Sequence, residues 1–322
     1  MYTRHPTKII VNDEESNSTP VDIHDRSQRG LANMATSLTA NAVVEMIRSQ
    51  VSRNWMGGTS EGFQCGDLNA TVTGIATAWT PTIEALQKAI SLNLNLMISM
   101  EPPFWRESGP VFTEVSMGTP SMKVLEASSV YQYKKKLIDD HGLILWRFNE
   151  NYRALASNPR LNALARTLGY KAHENAAATQ RLAAIGAGVY AIPEIPLADL
   201  AKKTRDSANA KALRVLGDPK EKVKSVALLP GYIENEDIMA MVRDRNVDVV
   251  VCGEPCEWEA FEYAEDWITA GWGKGMIMLG RAASEDPGAK ELAAWMRSFI
   301  TDVPVTGIAV GEPFSYVPSH KA

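Results

Sequence analysis

The sequence predicts an α/β fold: two similar β-α-β lobes with mixed, mostly parallel sheets and a site at the strand carboxyl ends between the lobes. Two observations carry this expectation. Leu94 to Met100 and Val247 to Cys252 are nearly continuous apolar runs of strand length, the pattern of strands buried on both faces. Each also closes a unit that opens with another strand and passes through a helix, and the unit occurs twice. Val72 to Trp79 leads through a helix to Leu94–Met100 and then Glu101-Pro102, while Val223 to Leu229 leads through a helix to Val247–Cys252 and then Glu254-Pro255. Such a degenerate duplication presents matching strand ends, and parallel α/β sheets bind ligands beyond the carboxyl ends of their strands.

Taken in order, residues 1–36 are polar and lack apolar periodicity, reading as a mobile extension without the apolar core of a signal peptide. A first lobe with a helical connection is expected over 37–190 and a second over 191–322. Ala42, Val43, Met46, Ile47 and Val51 repeat at helical spacing from Thr39. Thr80-Pro81 reads as the N-cap and first-turn proline of a helix through Ser91. Leu143 to Phe148 reads as a strand, Asn158-Pro159 starts a helix closed by Gly169, and a second helix runs from Glu174 to Ile185. Asn235-Glu236-Asp237 caps a helix reaching about Asn246. Gly275 to Leu279 is a strand, Pro287 starts a helix to Phe299, and Val303 to Val310 is a closing strand.

Composition excludes several function classes. The 322 residues carry 33 Lys+Arg against 38 Asp+Glu, a net charge of −5, and the one basic run is Lys134-Lys135-Lys136, read as a solvated helix face. A dedicated nucleic-acid surface is not expected. No apolar run approaches the roughly 18 residues that span a bilayer, so no membrane partner is expected either. Three cysteines leave an odd count and point to a reducing, cytoplasmic setting with buried structural thiols.

Several motif strings fail on context. Gly58-Thr59-Ser60-Glu61-Gly62 fits the GxSxG string, but a helix precedes it and Phe63 to Asp67 reads as loop, so the strand-to-helix elbow is missing. Gly186-Ala187-Gly188 follows a helix and precedes a strand, the reverse of a dinucleotide fingerprint, and Gly271 to Gly275 lacks the P-loop spacing. Cys252 and Cys256, four apart, lack the partners of a zinc site. What remains is polar: Glu101, Asn149-Glu150-Asn151, Glu254 with Glu257, and Arg281 with Glu285 each close a different predicted strand.

At these strand ends the chain resembles the Ngg-one-interacting factor three family, the dinuclear-metal-centre hexameric ring proteins labelled as homologues of GTP cyclohydrolase 1 type 2. The resemblance rests on Ser99-Met100-Glu101-Pro102-Pro103-Phe104-Trp105, Trp146-Arg147-Phe148-Asn149-Glu150-Asn151, Gly253-Glu254-Pro255-Cys256-Glu257-Trp258-Glu259 and Gly280-Arg281-Ala282-Ala283-Ser284-Glu285-Asp286-Pro287-Gly288, in family order over about residues 38–314. It implies a homo-oligomer, from dimer to hexamer, and a two-metal hydrolase centre. Where the family pattern places metal-binding histidines, this chain has Met100, Asn149, Asn151 and Arg281. Amides and a thioether are poor ligands for zinc, iron or manganese, and a guanidinium has no lone pair to give. The five histidines do not restore the set: His5, His24 and His320 lie in the terminal segments and His173 between helices. His141 sits a strand length, roughly 20 Å, from Asn149.

The resemblance therefore implies a divergent member with an eroded metal site. The leading expectation is a carboxylate and arginine pocket that binds an unidentified small molecule or runs metal-independent acid–base chemistry. In that scheme Glu101, Glu285, Glu150 and Arg281 are catalytic candidates, and Asn149, Asn151, Arg147, Met100, Trp105 and Glu254 contact the ligand. One alternative is a hydrolase whose Glu101, Glu150 and Glu285 hold Mg²⁺ or Mn²⁺ weakly. Another is a non-catalytic scaffold.

Overall fold

A computed structural model describes residues 37–51, 55–57, 60–105, 122–243 and 246–316. The polar extension, His5, His24, His320 and Gly58-Thr59 of the GxSxG string lie outside the described residues. In chain order the first half runs α1 (Ala40–Val51), β1 (Gly62–Cys65), β2 (Ile75–Ala78), α2 (Ile83–Ser91), β3 (Leu96–Ser99), α3 (Met122–Glu126), α4 (Ser129–Asp140), β4 (Ile144–Arg147), α5 (Glu150–Arg153), α6 (Pro159–Thr167) and α7 (Ala176–Arg181). The second half runs β5 (Gly188–Pro196), α8 (Leu197–Ala208), β6 (Arg214–Leu216), β7 (Lys222–Ile233), α9 (Asn235–Val242), β8 (Val249–Pro255), α10 (Glu262–Thr269), β9 (Gly275–Met278), α11 (Arg281–Arg297) and β10 (Val305–Gly307).

The strands form two five-stranded sheets, ordered β1-β4-β3-β2-β10 and β5-β7-β8-β9-β6. In the first, β4, β3, β2 and β10 are mutually parallel and β1 is antiparallel at the edge. In the second, β7, β8 and β9 are parallel and both edges are antiparallel. Both predicted β-α-β units are present, as β2-α2-β3 and β7-α9-β8. The central strands β2, β3, β4 and β9 are buried at every position, as their continuous apolar character requires. β10 returns to the first sheet from the second half of the chain, and α11 precedes it, packing against β2, β7, β8 and β10.

Several elements differ from expectation for identifiable reasons. Phe63 to Cys65, expected as loop with Gly66 and Asp67, is strand: β1 pairs with β4 at the sheet edge with a bulge between Phe63 and Cys65, and gives way to loop at Gly66, at φ +101°. Helix α2 is capped by Thr82, not Thr80, because the Thr82 side chain accepts the Ala85 N–H at 3.1 Å. The helix expected from Glu174 to Ile185 breaks after Arg181 into a 3₁₀ turn that ends on Gly186 in the left-handed region. Helix α9 stops at Val242.

The largest difference is at Pro287. It lies inside α11, which begins six residues earlier at Arg281, directly after Gly280 at φ +86°. Proline's fixed φ is helical, so the helix passes through it and forgoes one backbone hydrogen bond. Arg281 and Glu285 thus stand one turn apart on a helix.

The lysine run is not one solvated face. Lys135 and Lys136 pair with Asp139 and Asp140, but Lys134 is only 3% exposed and donates to the Pro103 carbonyl between the rings of Phe104 and Trp105. Burial lowers its pKa to about 8. All three cysteines are free; Cys252 is buried, whereas Cys65 and Cys256 are partly exposed.

Candidate functional site

The predicted site residues fall into two arginine–carboxylate clusters. The first forms where β2, β3, β8 and β9 end. Glu101 is turned by its own backbone: its N–H donates to Trp79 O at 2.9 Å, and the Ser99 hydroxyl donates to its carbonyl at 2.8 Å. Beyond β9, Leu279 N–H reaches Cys252 O at 2.8 Å and Gly280 N–H reaches Gly253 O at 3.1 Å, which sets the start of α11 beside Glu254. A cation in the first turn of a helix opposes the helix dipole. Arg281 is accommodated by carboxylates: Nη2 bonds Glu101 Oε1, Nη1 lies 3.6 Å from Glu254 and Nε 3.9 Å from Glu285. The guanidinium carbon is 5.5 Å from the centre of the Trp79 ring.

Glu285 is buried, and its main partner comes from elsewhere. Arg160 on α6 meets it through two bonds, Nε to Oε2 at 3.1 Å and Nη2 to Oε1 at 2.5 Å, with both side chains nearly inaccessible. Gly231, at φ +88°, leaves room for this pair; a Cβ there would overlap both the Glu285 carboxylate and the Arg160 guanidinium. Ser284, next to Glu285, accepts the Gly231 N–H and donates to Arg281 O. Nothing in the sequence marked Arg160, because an arginine on an amphipathic helix usually lies on the solvent face.

The second cluster lies at the end of β4. Arg147 is fully buried and holds Glu150 in a two-pronged ion pair, both N–O distances 2.8 Å, while also donating to Ser60 Oγ. The strand residues on either side of it, Trp146 and Phe148, stack at 5.1 Å in an aromatic core with Trp55, Tyr152 and Trp295. Glu61 gathers the turn: it accepts the Asn149 and Asn151 N–H groups at 2.6 and 2.9 Å and the Asn151 carboxamide. Asn151 is buried and also exchanges hydrogen bonds with Met56. Burial raises the Glu61 pKa despite these donors. The GxSxG string directed attention to Ser60, yet its neighbour Glu61 organises the turn.

A cavity of about 610 Å³ opens against the first cluster. Trp79 after β2, Glu254 and Pro255 of β8, Arg281, and Phe314 and Tyr316 near the chain end contribute to its wall. Glu254 is an open carboxylate there, its side chain 55% exposed. The other predicted residues are not in that wall. Met100 packs in the core with Ile75, Ile98 and Trp146, and Trp105, at φ +61°, stands over Lys134. Glu150, Asn149, Asn151 and Arg147 belong to the β4 cluster.

These positions do not fit a two-metal centre. Met100 is committed to apolar packing, the Asn151 amide to Glu61 and Met56, Glu285 to Arg160, and a guanidinium occupies position 281. Among the described residues no group of three His, Cys, Asp or Glu side chains is placed to hold a metal ion. No helix among them is long and apolar enough to cross a membrane.

Comparison with known proteins matches this chain to the family described as Duf34/NIF3 (NGG1p interacting factor 3), over residues 38–130 and 157–311. A GTP cyclohydrolase 1 type 2 homolog of Clostridium acetobutylicum is 23% identical over 64% of this chain and 70% of its own length. One of the same name from Chlamydia muridarum is 24% identical over 73% and 84%. The crystal structure of a Bacillus cereus protein related to NIF3 superposes with a TM-score of 0.67 at 14% identity, covering 87% of this chain and all of that one. The matched segments take in most of the chain, including Ser99 to Trp105, Gly253 to Glu259 and Gly280 to Gly288, while Trp146 to Asn151 lies between them; the chain belongs to the Duf34/NIF3 family.

Proposed function

We propose that this protein is a divergent family member that binds a small organic molecule, or acts on one by metal-independent acid–base chemistry, in the cavity beside Arg281. One observation carries the reading: the guanidinium of Arg281, bonded to Glu101 and lying over Trp79, forms the wall of a cavity of about 610 Å³ at the strand ends. A largely apolar cavity with a few convergent polar groups is the usual form of a small-molecule site. The Arg281 charge lies among carboxylates where the family pattern expects a metal.

Glu101 and Arg281 stay the central pair of this proposal. Glu285, enclosed by Arg160, serves to hold the start of α11, and Glu254 is the exposed carboxylate beside Arg281. As a proton carrier Glu254 has the access that Glu285 lacks. Arg147, Glu150, Asn149 and Asn151 act as the support of the neighbouring strand end. We place the protein in the cytoplasm as a homo-oligomer, to be checked by light scattering of the purified chain.

The test is thermal melting of chelator-free protein against a metabolite panel that includes GTP, chosen because the relatives carry the name GTP cyclohydrolase 1 type 2 homolog. A ligand that raises the melting temperature of the wild type, and fails to do so after Ala283→Trp fills the cavity, supports the proposal. Metal analysis of the same sample is the second arm. Near-stoichiometric zinc, iron or manganese, or a panel without any binder, overturns it.

A further inference from the structure

The balance of charge around Arg281 narrows the class of ligand. Three carboxylates surround this guanidinium: Glu101 bonded to it, Glu254 at 3.6 Å and Glu285 at 3.9 Å. Among the described residues, Arg281 and Arg160 set two positive charges against these three carboxylates. Glu285 is enclosed with Arg160 and Glu101 is bonded to Arg281, whereas Glu254 stands 3.6 Å from that guanidinium. Its distance from Arg281 is beyond hydrogen-bond range, and its side chain is the exposed one.

The remaining charges in the cavity wall are satisfied. Arg214 bonds Glu257. Glu312 accepts the Tyr316 hydroxyl and the Lys211 N–H, while the Lys211 ammonium donates to the carbonyls of Glu312 and Phe314. These bonds also hold residues 312–316 against the second sheet's edge, so that Phe314 and Tyr316 present largely exposed rings to the cavity. An anion entering here finds Arg281 already neutralised and Glu254 repelling it. A cation finds the exposed Glu254 carboxylate and π faces, both of which attract it.

We propose that the cavity selects an organic cation: an apolar or aromatic body bearing one amine or amidine group, with the cationic end on Glu254 and the body against Phe314 and Tyr316. The inference rests on the small-molecule reading above and adds the sign of the ligand's charge.

Titration calorimetry on the full chain tests it with three probes of one shape: phenethylamine, phenylacetate and 2-phenylethanol. The wild type should bind the amine most tightly, and added salt should weaken that binding. Glu254→Gln, at an exposed position, should keep the wild-type melting temperature and weaken the amine by roughly tenfold or more, the usual weight of a charge-assisted bond. Glu254→Lys should reverse the preference toward phenylacetate. A wild type that prefers phenylacetate, or takes the alcohol as well as the amine, overturns the cationic class while leaving the pocket intact. So does a Glu254→Gln protein that binds the amine unchanged. If no probe binds while a panel metabolite does, the cationic class fails alone. If nothing binds, both readings fail.

Discussion

The two arginine–carboxylate clusters at the strand ends differ in how far apart in the chain their paired charges lie. Arg147 and Glu150 are three residues apart, and their pair forms as soon as β4 turns into α5. Arg160 and Glu285 are 125 residues apart, and Arg281 and Glu101 are 180 apart. The Arg147–Glu150 ion pair therefore stiffens one turn, whereas the ion pairs of α11 join parts of the chain that meet only in the finished fold. The cost of removing a partner should follow the same division.

The largest effect is expected at Arg160. Arg160→Gln or Glu285→Gln leaves a buried charge without its partner and should cost about 3–5 kcal/mol, read from urea denaturation. Replacing both residues by methionine should restore most of that loss. A single substitution costing less than about 1 kcal/mol would remove the distinction between the clusters. Next comes Gly231→Ala, which places a methyl group against the Glu285 carboxylate at a backbone conformation that disfavours side chains. It should cost about 1–3 kcal/mol, most of it absent when Arg160 and Glu285 are already methionine.

In the β4 cluster, Glu61→Gln should cost about 1–2 kcal/mol, because a carboxamide offers one acceptor oxygen where three donors converge. The pH dependence carries a definite sign. Burial raises the Glu61 pKa in the folded state, so its stabilisation is complete below the unfolded-state pKa and declines as pH rises through the folded value. The stability gap between wild type and Glu61→Gln should therefore narrow from acid toward neutral pH; a gap that widens would place the carboxylate in a stabilised ionic form instead. The smallest effect is reserved for the exposed, local pair Lys136–Asp140. Lys136→Ala should change stability by no more than about 0.5 kcal/mol and set the lower end of the scale.

This contrast also explains what could be read from the chain alone. Strands β3, β4, β8 and β9 are apolar runs bounded by polar residues, and the positions after them were legible because a parallel sheet fixes where its ends point. Glu101, Glu254 and Arg281 follow from that rule. Arg160 does not, since neither its spacing nor its neighbours distinguish it from a surface arginine; only the room left by Gly231 and Gly288 hints at it. Lys134 was hidden by two lysines that do behave as surface residues. Glu61 was hidden by a string that pointed to the serine before it. Pro287 concealed the true start of α11, because a proline compatible with helical φ gives the same signal within the first turns as at the first position.

Helix α11 has a mechanical consequence. It is fastened at Arg281 to Glu101, at Glu285 to Arg160, at Gly288 by the Tyr152 hydroxyl and at Ala289 by the Thr77 hydroxyl. These four rivets fall within nine residues and tie the helix to β2, to the turn after β3, to α5 and to α6. Three of them run to Thr77, Glu101 and Tyr152 around the first sheet, so α11 cannot travel with the second sheet without shearing all three, and Arg281 at its start is fixed against the end of the first sheet.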